Sequence, residues 1–81
     1  MKEVDLMQAR AELQQKLGNH YIVTYYFGDK PFLEVVGSFI IDTVTIKAIV
    51  RYCTAHHLLF YVTTYFDNKK PYIVIYKHTA P

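Results

Sequence analysis

The sequence predicts one α+β domain: a four-stranded antiparallel sheet with two helices packed on one of its faces. Three observations carry this expectation. The chain has 81 residues, the size of a single domain. Apolar residues recur at helical spacing in two segments and at alternate positions in four others. The chain also resembles itself, because YIVTYYFGDKPFLEVV (Tyr21 to Val36) aligns with FYVTTYFDNKKPYIVIY (Phe60 to Tyr76). Val23/Val62, Thr24/Thr63, Tyr26/Tyr65, Phe27/Phe66, Lys30/Lys69 and Pro31/Pro71 are identical across that alignment, with Lys70 inserted in the second copy. An internal repeat of this kind points to a duplicated unit. Residues 1–81 therefore read as a single domain of two αββ repeats, about 4–37 and 42–78.

Each repeat opens with a helix. Asp5 caps the first, and Gln8 three residues on completes a capping-box pattern. Leu6, Ala9, Leu13 and Leu17 share one face, and Gly18 stops the helix. In the second, Asp42 or Thr43 supplies the cap, while Ile46, Ile49, Val50 and Cys53 form the apolar stripe. That segment is rich in β-branched residues, so the helix rests on periodicity more than propensity.

A hairpin follows each helix. Both arms are rich in Tyr, Phe, Val, Ile and Thr, and the connections Gly28–Pro31 and Asp67–Pro71 carry turn-forming residues. Pairing Tyr26 with Phe32 sets Thr24 against Glu34 and Ile22 against Val36. Pairing Tyr65 with Tyr72 likewise sets Thr63 against Val74 and Tyr61 against Tyr76. Residues 35–41 extend the second strand, with Gly37 as a bend. The order αββ-αββ suits a circularly permuted ferredoxin-like arrangement in which the second and fourth strands are central. The sequence leaves the strand order open.

Alternation divides the sheet into two faces. Tyr21, Val23, Tyr25, Phe27, Leu33 and Val35, with Phe60, Val62, Thr64, Phe66, Ile73 and Ile75, form the expected core face. The opposite face carries Tyr26, Phe32, Tyr61, Tyr65, Tyr72 and Tyr76 among Ile, Thr and Val, with Glu34 as its one charge. A water-facing sheet surface is normally more polar, so this aromatic face is the candidate binding surface.

The expected function is that of a small non-enzymatic binding module that uses this face for protein–protein association, most simply homodimerisation. Single-stranded nucleic acid is the alternative partner. Phe32, Tyr72 and Tyr76 would stack bases while Lys30, Lys69, Lys70 and Lys77 contact phosphates. A formal charge of +2 is small for that role, and lysines beside turns also serve to keep strand edges apart.

Other classes find little support in the residues. Cys53 and His57 stand four apart on one helical face, with His56, His20 and His78 nearby or elsewhere. A structural zinc site needs four ligands, and a lone cysteine on an apolar stripe is ordinarily core. Histidines in a last helical turn favour the negative end of the dipole. With no paired carboxylates, glycine-rich phosphate loop or Ser–His–Asp context, neither an enzyme, a cofactor nor a small-molecule substrate is expected. One cysteine excludes an intrachain disulfide, and the N-terminal segment MKEVDLMQARAELQQKLG lacks the apolar run of a signal peptide. The expected location is the cytoplasm, without membrane contact.

Overall fold

The computed structural model describes residues 5–38, 41–65 and 70–77. Asp5 lies in extended backbone, and its carboxylate accepts the Gln8 N–H at 2.7 Å, occupying a donor that a helix start leaves free. From this cap α1 runs Leu6–Leu17. Leu6, Ala9 and Leu13 are buried and Leu17 packs against the same core, as their spacing requires. Gly18 then adopts φ 79° and donates its N–H to the Gln14 carbonyl, a left-handed position that a Cβ would strain.

Asp42 repeats the device at α2 (Thr43–Ala55), accepting the Thr45 N–H at 2.8 Å. That backbone hydrogen bond holds the Asp42 carboxyl below its ordinary range. Of the expected stripe, Ile49 and Cys53 are buried, Val50 is half-buried and Ile46 is exposed. Thr45 and Tyr52 are buried instead. The helix is rolled because both polar tips find partners inside. Thr45 Oγ1 donates to the Tyr21 hydroxyl at 2.9 Å, and the Tyr52 hydroxyl donates to the Glu12 carboxylate of α1. Burial, together with Glu12, pushes the Tyr52 phenol well above its usual range, so it stays a donor.

His57 ends this helix at φ 58°, a conformation that costs a non-glycine residue about 1–2 kcal/mol. Replacing His57 with Gly should therefore raise stability by up to about 1 kcal/mol, after the entropy glycine adds to the unfolded chain. Urea denaturation of H57G checks this; a loss of stability would mean the imidazole makes a contact worth more than the backbone strain.

The strands are β1 (Tyr21–Tyr26), β2 (Phe32–Gly37), β3 (Leu58–Thr64) and β4 (Pro71–Lys77), in spatial order β1-β2-β4-β3 with every neighbouring pair antiparallel. Strand β2 ends at Gly37 rather than continuing toward Ile41, and Phe39 and Ile40 lie outside the described residues. The first hairpin has the expected register, Tyr26 opposite Phe32 and Thr24 opposite Glu34. The second is displaced by two residues: Thr63 faces Tyr72 and Tyr61 faces Val74. Lys70 causes this, because its carbonyl accepts the Tyr65 N–H at 3.0 Å, which makes it part of the ladder instead of extra loop. A two-residue displacement keeps every side chain on its own face.

Both helices bury their stripes against one side of the sheet, in a core that joins Leu13, Ile49 and Cys53 to Val23, Leu33, Val35, Ile73 and Ile75. Four residues expected in that core are outside it, among them Thr64, exposed at the end of β3. Phe60 and Val62 on β3 are 38% and 57% exposed, and Phe27, past the end of β1, is 79% exposed. Strand β3 is an edge, and α2, drawn toward α1 through Tyr52, buries only Leu58 on it. Phe66 lies outside the described residues. Among the described residues, no helix is long and apolar enough to cross a membrane.

Candidate functional site: the open face of the sheet

The register lines up the open face in rows across the strands. Tyr26, Phe32, Tyr76 and Leu59 form one row, and Thr24, Glu34, Val74 and Tyr61 the next. Ile22 and Val36 pair beyond it on one side, Thr63 and Tyr72 on the other. All six aromatic residues singled out from the sequence therefore share this face, Tyr65 just past the end of β3.

Their rings lie on one another. Tyr26 stacks on Phe32 with centroids 4.9 Å apart, Tyr65 stacks on Tyr72 at 4.4 Å, and Tyr61 meets Tyr76 edge-on at 5.9 Å. These are the offset and T-shaped geometries that ring quadrupoles favour. The two-residue displacement of the second hairpin makes Tyr65 and Tyr72 diagonal neighbours, still within reach for aromatic rings. Val74 beneath them is buried, whereas Tyr61 remains 50% exposed.

Glu34 is the polar hub of the face. The Tyr26 hydroxyl donates to its carboxylate at 3.4 Å. Burial first, then the hydrogen bond to Glu34, pushes the Tyr65 phenol up to about 12, and the Glu34 charge raises Tyr26 as well. Both phenols are thus protonated donors at neutral pH rather than bases. Nothing in the spacing of Glu34, Tyr26 and Tyr65 along the chain announces this cluster; strand order and register create it.

A cleft of about 470 Å³ opens at the β1–β2 turn, lined by Phe32, Tyr61, Val74 and Tyr76 with Lys30, Pro31, Lys77 and Leu6 around it. The lysines proposed as anion contacts do not form one patch. Lys30 and Lys77 border the cleft, whereas Lys70 sits at the far end of the sheet, beside Tyr65. Lys69 lies outside the described residues.

The histidines and cysteine are dispersed. Cys53 is fully buried, and burial pushes its thiol up to about 12, which leaves negligible thiolate. His56 caps α2 and packs its ring on Tyr52 at 4.4 Å, while His57 and His20 are exposed. His78 lies outside the described residues. Among the described residues, no three His, Cys, Asp or Glu side chains converge as metal ligands do.

Two side chains overlooked in the sequence belong to one edge of the sheet. Gln14 and Arg10 of α1 reach over the rim of β1. The Gln14 amide donates to the Tyr21 carbonyl at 2.7 Å and accepts the Val23 N–H at 2.9 Å, and Arg10 donates to the Val23 carbonyl at 3.4 Å. Their signal was their spacing, four apart on the flank of an apolar stripe. Compared with protein-family models, curated proteins and solved structures, the chain has no match.

Proposed function

We propose that this chain is a small non-enzymatic binding module that associates with protein through its sheet, most simply with a second copy of itself. The observation that carries this reading is the open face: aromatic side chains from all three inter-strand pairings and one carboxylate, where a water-facing sheet would alternate polar groups. Tyrosine serves association well, giving large apolar area at small entropic cost and keeping a hydroxyl to hydrogen-bond. Single-stranded nucleic acid fits less well. The rings already stack on each other, Glu34 puts negative charge mid-face, and the lysines are divided between the two ends of the sheet.

The same reading includes the origin of the fold. Each half gives a capped helix followed by a hairpin, in keeping with a duplicated αββ unit. The order β1-β2-β4-β3 is the one a circularly permuted ferredoxin-like sheet would have.

Light scattering on the untagged protein, across a concentration series at two salt levels, tests the function. The expected result is a dimer at low micromolar concentration, insensitive to salt because the surface is apolar. Tyr61→Ser should keep the fold and weaken association at least about tenfold, a typical loss for an interface tyrosine. A monomer at every concentration overturns self-association, and an unaffected Y61S dimer removes the aromatic face from it.

A further inference from the structure

The two edges of this sheet are treated differently. An edge strand presents unpaired N–H and C=O groups, and soluble proteins cover or charge such edges. Ser38 donates to the His20 carbonyl, so alternation along the β1–β2 ladder turns the backbone groups of Tyr21 and Val23 outward. Gln14 and Arg10 satisfy the Tyr21 carbonyl and both groups of Val23, and the Gly18 carbonyl accepts the Tyr21 N–H, so the cover reaches all of this edge but Tyr25. On the other side, Tyr65 donates to the Lys70 carbonyl, so the odd-numbered residues of β3 pair with β4. Leu58, Phe60, Val62 and Thr64 therefore aim their N–H and C=O groups at the open edge. Among the described residues, no side chain or strand meets them.

The side chains on β3 do nothing to blunt this edge. The strand reads LLFYVTT, with no charge, proline or glycine, and Leu59, Phe60, Tyr61 and Val62 are all exposed. A segment of this kind is a template for strand pairing. It is also suited to pairing with itself. About a two-fold axis the residues beside the axis meet their own copies or near neighbours, so a charge at the middle of the strand would oppose a like charge; β3 carries none. Stacking two open faces about an axis through their middle would bring two Glu34 carboxylates together, a repulsion that edge pairing avoids.

We infer that β3 pairs antiparallel with β3 of a second copy, joining two four-stranded sheets into one continuous sheet. The inference rests on the self-association proposed above and adds its geometry. The outward groups require even-numbered residues to oppose even-numbered ones, and an axis at Tyr61, the middle of Leu58–Thr64, does so with the longest overlap. Centring the axis at Tyr61 opposes Phe60 to Val62 and Leu58 to Thr64 of the second copy, each pair exchanging both N–H···O bonds. Phe60 and Val62 then cover each other on the helix side, an aromatic–β-branched pair of the kind that stabilises sheets. On the open face Tyr61 meets its counterpart, so the two aromatic faces become one surface.

Amide hydrogen exchange read by NMR on the wild-type protein, at dimeric and at monomeric concentrations, tests this residue by residue. The amides of Phe60 and Val62 are expected to slow at least tenfold on dimerisation. Val62→Lys, at a side chain with ample solvent exposure, is expected to retain the fold and raise the dimer dissociation constant at least tenfold. A dimer in which those amides exchange as fast as in the monomer overturns edge pairing and leaves self-association standing. A protein that never dimerises overturns both. A V62K protein that dimerises as well as wild type also overturns the edge assignment, and if that variant fails to fold, the wild-type exchange decides alone.

Discussion

Replacing Leu33 with Ala is expected to cost about 3–4 kcal/mol of stability, within the range for fully buried leucines whose surroundings cannot collapse. Leu33 lies on central strand β2, between Tyr25 of β1 and Ile75 of β4, with no surface exposed. Both flanking strands are held in register by their own hydrogen bonds, so strand movement does not close the space left by the isobutyl group. Domains have about 0.05–0.15 kcal/mol of stability per residue, so a chain this short can lose much of its total. Urea denaturation would give the loss as a lower midpoint at unchanged slope. Val62→Ala is the contrast. Its side chain is 57% exposed, and the monomer should lose well under about 1 kcal/mol. Equal losses at the two sites would contradict the placement of α2 over the sheet.

The second large effect is expected at Gln14. Its amide donates to the carbonyls of Gly18 and Tyr21 and accepts from the Val23 N–H. One side chain thus ties the end of α1 to the rim of β1. Gln14→Leu keeps the volume and the helix propensity but leaves three backbone groups without their partner. At about 1 kcal/mol net for each bond, less what water recovers at an exposed rim, the loss should be about 2 kcal/mol. The variant should also show a change that stability alone would not give. With only Arg10 left over β1, both edges become templates for pairing, and closed dimers give way to open chains. Light scattering of Q14L should show masses beyond a dimer that grow with concentration. A destabilised protein with wild-type mass would confine Gln14 to capping.

Much of this architecture was legible in the residues. Asp5 and Asp42 marked both helix starts, and Gly18 marked one stop. Strand alternation placed Tyr26, Phe32, Tyr61, Tyr65, Tyr72 and Tyr76 on one face. These are local matters, decided by neighbours within a turn or a strand's period. The face assignment even survived the wrong register in the second hairpin, because a shift of two residues preserves parity.

What only the tertiary structure decided lies between residues far apart in the chain. Tyr52 reaching Glu12 and Thr45 reaching Tyr21 roll α2 toward α1, which uncovers Phe60 and Val62 although their spacing marked them as core. Strand order brings Tyr65 to Glu34 and opposes Phe32 to Tyr76. The choice of which edge is covered depends on Gln14 and Arg10 finding the rim of β1. Periodicity states which side of a helix or strand is apolar. How far a neighbouring element covers that side depends on long-range polar pairs and on strand order, and the spacing of residues along one segment carries neither.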